Sequence, residues 1–309
     1  MMELDLKEYE PLAPRTTLGV GGPARRFVEV DTVERLAGAL ELAKREQWEV
    51  LLLGGGSNLL VGDGGFDGLV ISVTDTSFEV LRDEGEQVLL KVGAGHDWDR
   101  LVEHCVSEGW AGIECLSGIP GSVGAAPIQN IGAYGQEVAE CIEAVHVMER
   151  LNGKVARLEA ADCGFRYRHS HFKADWLGQY VVVGVEFRLS RGEPSAIRYG
   201  ELSRVLKDTG SATLRAVREA VLALRRGKSM VYDTRDPNHR SAGSFFVNPI
   251  VSEASIEALK AALANKGIDS DSMPMYPVNE PGRTEGWVKL SAAWLIERAG
   301  FSRGFVDGE

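Results

Sequence analysis

A chain of 309 residues is too long for one ordinary hydrophobic core and predicts two or more domains. Its 44% hydrophobic and 26% charged residues exclude collagenous, coiled-coil and disordered classes. With 34 Lys and Arg against 45 Asp and Glu, the net charge of −11 argues against nucleic acid and anionic membrane as partners. An anionic ligand then has to be held by local cations and backbone amides.

The N-terminus, "MMELDLKEYEPLAP", is acidic and polar, and no apolar run reaches membrane-spanning length. Residues 31–47 read as an amphipathic helix, with Asp31 and Glu34 as a capping-box-like start and Val33, Leu36, Ala37 and Leu40 at helical spacing. "WEVLLL" is a short buried strand running into "GGGSN", so 27–58 reads as a small β-α-β-loop unit. From about 69 to 190, "GLVISV", "VLLKVGAG", "AVHVMER", "KVARLEA" and "YVVVGVEFRLS" read as strands, with one helix at 97–108. The polar stretch "SRGEPSAIRYG" marks a boundary. Beyond it, Leu214, Val217, Val221 and Leu224 mark a helix; a second follows Ser255 and a third begins near Ser291. No repeat at solenoid period is visible.

Cys105, Cys115, Cys141 and Cys163 form no CxxC pair and no zinc spacing, so they read as reduced thiols of a cytoplasmic protein. The six histidines make no HxxxH or HExxH pattern, and no metal is predicted.

Two glycine-rich stretches remain to be explained. "LLLGGGSN" follows a buried strand; its unshielded amides read either as a tight turn or as a concave anion site. It is not a P-loop, because Asn58-Leu59-Leu60 stand where Lys-Ser/Thr is needed. "GDGGFDG" is not a dinucleotide fingerprint, because Asp67 occupies the third glycine position. The second stretch, "GIPGSVGAAPIQNIGAYG" (118–135), holds five glycines and no charge. Its backbone is built to come close to something.

Read in order, "GGGSNLL" and "LSGIPGSVGAAPIQNIGAYG" resemble the flavin-binding domain of vanillyl-alcohol-oxidase-type (PCMH-type) flavoproteins. In detail, "PIQNIGAYG", "FRYRHSHFK", "RYGEL", "GSFFVNP" and "KLSAAWLIERAGF" resemble the UDP-N-acetylenolpyruvoylglucosamine reductases (UDP-N-acetylmuramate dehydrogenases), in the subclass with a tyrosine loop. The resemblance covers nearly the whole chain. It implies an α+β protein: a two-subdomain FAD-binding fold, 1–68 and 69–192, plus a C-terminal α+β substrate-binding domain, 193–309. FAD would lie between loops carrying Gly54, Gly55, Gly56, Ser57, Asn58 and Leu59 on one side. On the other stand Gly118, Ile119, Pro120, Gly121, Ser122, Gly124, Ala125, Gln129, Asn130, Gly132 and Tyr134. Glycine and alanine let the backbone reach the cofactor, and an uncharged wall suits the flavin ring.

The implied reaction takes hydride from NADPH through FAD to the vinyl carbon of a UDP-sugar enolpyruvyl ether, giving UDP-N-acetylmuramate for peptidoglycan precursor synthesis. Ser244 matches the proton donor and Arg168 the arginine that holds the substrate carboxylate. By spacing alone Ser244 reads as a turn or cap serine and Arg168 as half of a surface ion pair. Arg166, two residues away and on the same face of a strand, is separated from Arg168 only by motif alignment. Tyr199 matches a tyrosine over the substrate diphosphate, and Asn248 and Lys228 match contacts to the UDP portion, Lys228 equally a solvated lysine beyond a helix. The family's third catalytic group is a glutamate in a segment after "GFVDGE"; its role is not carried over to Glu309. A chain ending here is expected to be a fragment of a longer reading frame, to bind FAD and to turn over poorly. Two other readings stay open: another oxidase of the same fold, and a non-catalytic flavin- or UDP-sugar-binding protein.

Overall fold

Four strands, β1 (Lys7–Pro11), β2 (Pro23–Val30), β3 (Val50–Leu53) and β4 (Phe66–Val73), form the first sheet in the order β1-β2-β4-β3. The pairs β2/β4 and β3/β4 are parallel, and β1/β2 is antiparallel. Helix α1 (Val33–Arg45) crosses between β2 and β3. Its start is set by Thr32, whose hydroxyl accepts the Arg35 amide at 3.2 Å, rather than by Asp31. Leu36, Ala39, Leu40 and Ala43 recur at helical spacing and are buried against Val28, Val30, Leu69 and Ile71. The computed structural model describes residues 4–209, 213–278, 285–302 and 304–306.

The second sheet is antiparallel, ordered β11-β10-β12-β6-β5, from β5 (Phe78–Glu84), β6 (Gln87–Gly93), β10 (Ile142–Glu149), β11 (Val155–Glu159) and β12 (Tyr180–Arg191). Short β7 (Trp110–Ala111) pairs with β12, and β8 (Gly132–Ala133) with β9 (Gln136–Glu137). Helix α2 (Trp98–Ser107) is capped by Asp97, whose side chain accepts the Arg100 amide at 2.9 Å. It buries Trp98, Leu101, Val102 and Cys105 on this sheet's core with Phe187 and Leu189. All four cysteines are free and buried, and burial pushes each thiol up to about 12.

Two helices follow, α3 (Gly200–Thr209), which is not among the predicted helices, and α4 (Leu214–Arg226). Leu202, Leu206, Val217 and Val221 pack around Cys115, with Tyr134 at the edge. The chain separates into two units, Met1–Ala242 and Gly243–Glu309, so α3 and α4 belong to the unit that contains both large sheets. The sequence boundary at 192/193 falls inside that unit, and the one at 68/69 runs through β4, the inner strand joining β2 to β3. Strand patterning found β4 but could not say which sheet would claim it.

The second unit holds an antiparallel sheet ordered β13-β15-β14, from β13 (Ile250–Ser252), β14 (Met275–Pro277) and β15 (Trp287–Leu290). Helices α5 (Glu253–Asn265) and α6 (Ala292–Arg298) pack around Met273, Leu290 and Trp294. The cap of α5 is Ser252, which accepts the Ser255 amide at 3.3 Å; the helix therefore starts earlier than Ser255 predicts. Glu309 lies outside the described residues. Among those residues no helix is long and apolar enough to cross a membrane, and no cluster of His, Cys, Asp and Glu could hold a metal ion.

Candidate flavin and substrate site

The parallel strand β3 ends at buried Leu53 and releases Gly54–Asn58 at the edge of the first sheet. This loop meets the second glycine-rich stretch directly. The Ser57 hydroxyl donates to the Pro120 carbonyl at 3.0 Å. A Cβ on Gly55 would stand 2.7 Å from the Gly121 Cα, and one on Gly54 2.8 Å from the Ser122 hydroxyl, with Ala125 beyond. The glycines therefore serve first to let the two loops pass each other.

The amides of Gly54, Gly55, Gly56, Ser57 and Gly121 donate to no acceptor among the described residues. Four successive amides without a partner make the kind of concave donor array that takes a phosphate. Leu59 goes the other way: its side chain packs on the core around Leu12, Phe27 and Leu53, leaving only its backbone to the loop. Asn58 is exposed.

The second stretch is held from below. His96 and Ala94 carbonyls accept the Val123 and Gly124 amides at 2.9 Å each, and the Gly121 carbonyl accepts the Trp98 amide at 3.1 Å. The Gly118 amide is taken by Asp99 at 2.6 Å, so it is not available to an anionic ligand. Ile119 packs on the second sheet's core. Gln129 is half-buried. Asn130 is buried in the left-handed region at φ 46°; its amide nitrogen donates to Glu137 at 2.6 Å and to the Arg166 carbonyl at 3.0 Å, while its oxygen accepts from the Ala139 amide at 3.0 Å.

That bond draws in the arginine pair. Arg166 and Arg168 do not lie on a strand: Arg166 and His169 close a tight turn on each other's amides at 3.1 and 3.0 Å. Strand alternation therefore does not apply. Arg168 sits in the left-handed region at φ 54°, unusual for a long side chain. Its guanidinium donates to the carbonyls of Asn130, at 3.3 Å, and Gly132. Arg168 is thus brought to the Gly118–Gly135 stretch while Arg166 contributes its backbone.

Tyr199, at the start of α3, packs edge-on against Tyr134, with ring centroids 5.4 Å apart at 88°. Burial pushes the Tyr134 hydroxyl up. Lys228 donates to Glu201 at 2.7 Å, so α3 and the end of α4 share an ion pair at this corner. Ser244 and Asn248 belong to the second unit. Ser244 is exposed between Gly243 and the exposed Phe245 and Phe246, whereas the Asn248 oxygen accepts the amide of Ala292, the first residue of α6, at 2.9 Å; the cap of that helix is Ser291.

Three residues were missed by sequence reasoning: Asp99, Arg218 and Arg225. Arg225 lies on α4 with its Nε 3.4 Å from where a Gly118 Cβ would be. That Nε is buried without a partner, and burial pulls the guanidinium's pKa down. A cation so placed suits an anionic or carbonyl oxygen. In the sequence it is one of two adjacent arginines in "LRRGK", and nothing local separates them. Together the unpartnered amides, the uncharged loop and this arginine fit FAD.

Residues 24–159 match the FAD binding domain family. The chain is 46% identical over 296 residues to UDP-N-acetylenolpyruvoylglucosamine reductase of Salinispora arenicola, covering 95% of this chain and 78% of that protein. It is 46% identical over 301 residues to the enzyme of the same name from Thermobifida fusca, covering 96% and 83%. Among solved structures, UDP-N-acetylenolpyruvylglucosamine reductase from Thermus caldophilus matches 97% of this chain and 94% of its own, with a TM-score of 0.58 at 25% identity.

Proposed function

The chain belongs to the UDP-N-acetylenolpyruvoylglucosamine reductase family, and from that membership we infer that it is an FAD-dependent oxidoreductase reducing the enolpyruvyl ether of UDP-N-acetylglucosamine to UDP-N-acetylmuramate. This is a step of peptidoglycan precursor synthesis, with NADPH as co-substrate. The observation that carries the reading is the junction of Gly54–Ser57 with Pro120–Ser122, where a run of free amides faces an uncharged loop.

FAD, when bound, supplies a hydride acceptor for NADPH and a hydride donor for the terminal vinyl carbon. Amides 54–57 and Gly121 would hold its pyrophosphate, and the 118–134 stretch would wall its ring. Arg168 would bind the substrate carboxylate through its planar fork and offset the negative charge that develops on it. Two carbonyls already hold that guanidinium, so little reorganisation is needed at the moment of reaction. The Ser244 hydroxyl would give its proton to the carbon next to the reduced one, an acceptor basic enough to take it. Tyr199, Lys228 and Asn248 would contact the diphosphate and uridine. Parting Lys228 from Glu201 is then part of binding. We keep the division into two flavin-binding lobes and a substrate-binding part from 193 as a proposal, with the first lobe extended to Val73.

The test is stopped-flow absorbance on the purified 309-residue chain, following the flavin band on adding NADPH and then the UDP-enolpyruvyl sugar. Bleaching by NADPH, then recovery of the band on adding the UDP-enolpyruvyl sugar, is the expected result, the recovery being slow if the chain turns over poorly. Bleaching that only a small alcohol or another sugar produces would move the activity to a different oxidase of the same fold. Absence of any flavin band overturns the reading.

A further inference from the structure

Helix α4 buries Leu214, Val217, Ala220 and Val221, an ordinary apolar stripe, and with them one arginine, Arg218. A guanidinium only 10% exposed is costly to bury unless it is paired with good geometry. Its partner is Asp99 of α2, bound bidentately: Nη1 to Oδ1 at 2.6 Å and Nη2 to Oδ2 at 2.9 Å. Glu103 stands farther off, at 3.9 Å, and is largely exposed.

Two apolar side chains of the same volume would join α2 to α4 at least as well. The ion pair does something that apolar contacts do not. Asp99 Oδ1 also accepts the Gly118 amide at 2.6 Å, so one carboxylate oxygen ties the first residue of the flavin loop to both helices. Gly118 is in the left-handed region at φ 71°, and α4 and the segment after it close over it: a Cβ there would lie 2.8 Å from Leu222 of α4 and 3.2 Å from Val231. Arg225 follows Arg218 by seven residues, two helical turns, and so shares its face. Its Nε, buried without a partner, stands on the far side of Leu222 from Arg218 along the helix.

We propose that Asp99 and Arg218 are a positioning pair that registers α4 against Gly118, setting the flavin loop and the cations Arg225 and Lys228 in one frame. Neither residue touches the reacting atoms; both act through the loop and the helix. The proposal rests on the reading of 118–134 as the flavin loop.

The test titrates the flavin-stripped full chain with FAD, following flavin fluorescence and the shape of the visible band, well below each variant's Tm. Asp99→Ala is expected to raise the FAD Kd about tenfold or more and to alter the band, since a charge-assisted bond to the loop is lost. Asp99→Asn keeps an acceptor for Gly118 but not the charge that pairs Arg218, so its Kd is expected between those of the wild type and Asp99→Ala; wild-type affinity in this variant would show that the pairing with Arg218 does not position the loop, and the proposal falls. Asp67→Asn, in the exposed pair with Arg25, is the control and is expected to change nothing. If Asp99→Ala lowers Tm but leaves Kd and band as in the wild type, the pair is only a structural tie and the proposal falls. If Asp99→Asn is as weak as Asp99→Ala, the Gly118 bond is not what matters and the proposal falls as well. Wild-type chain that takes up no FAD would instead overturn the flavin reading on which the pair depends.

Discussion

The stretch Gly118–Tyr134 and the stretch Gly243–Asn248 both carry signature residues, yet the fold treats them in opposite ways. In the first, backbone and side chains are tied down at nearly every step: Asp99 on Gly118, Ala94 on Gly124, Arg168 and Arg166 on Asn130 and Gly132. In the second, Ser244, Phe245, Phe246 and Val247 are exposed, and Asn248 anchors the end by accepting the first amide of α6. On the proposed reading the first stretch presents a fixed surface to a planar cofactor, and its geometry is built in advance. On the same reading the second has to deliver one hydroxyl, and its fixed point is Asn248 at the end of the stretch.

The largest expected effect tests the second region. Ser244→Ala should leave NADPH bleaching of the flavin intact and slow the substrate-driven recovery by about a hundred- to ten-thousandfold, the range of general acid catalysis. An exposed serine contributes little to stability, so Tm should stay put; a fall in Tm matching the loss of rate would erase the contrast. Arg168→Lys comes next. It keeps the charge but not the planar fork, so turnover in single-mixing assays should drop about a hundredfold. The loop carbonyls of Asn130 and Gly132 would lose their donors, and amide exchange at 130–132 should quicken. Unchanged turnover would remove Arg168 from the substrate carboxylate.

Gly55→Ala sharpens the comparison inside the first region. Its Cβ would lie 2.7 Å from the Gly121 Cα, so the two loops must part and the FAD Kd should rise about tenfold. Gly38→Ala in α1 meets nothing within 4 Å and should instead stabilise the chain by about 0.5–1 kcal/mol. The smallest effect concerns the sheet behind the loop. Arg157 holds the nearly buried Glu186 carboxylate below its usual range, against the opposing pull of burial, with His146 adding to the effect. A folded-state value below the unfolded one stabilises the protein at pH above the unfolded value. That stability is lost as pH falls through the folded value. Thermal melts below about pH 4.3, the ordinary glutamate value, should therefore show Tm falling more steeply for the wild type than for Glu186→Gln.

Much of this was legible from residues alone. Apolar spacing found α1, α2 and α4 because each buries one continuous face. It missed β1 and β5, whose residues are mostly exposed and charged, so alternation is weak there. Helix α3 was missed because the polar "SRGEPSAIRYG" leading into it reads as a boundary, although Leu202, Val205 and Leu206 keep helical spacing. The glycines of both loops signalled close approach, and the structure divides that approach between the loops themselves and the free amides. Arg166 and Arg168 were separable by motif but not by strand logic, since the chain turns between them.

What the sequence determined by itself was local or linear: helix faces, strand runs, glycine-rich turns and the order of motifs that marks the family. These follow from periodicity and backbone freedom, which act over a few residues. Tertiary structure alone decided which sheet claims β4, that the chain turns between Arg166 and His169, and that Asp99 and Arg218, 119 positions apart, meet at Gly118. A buried charge is tolerable only where a partner closes on it, and that partner comes from a helix whose position no local pattern encodes.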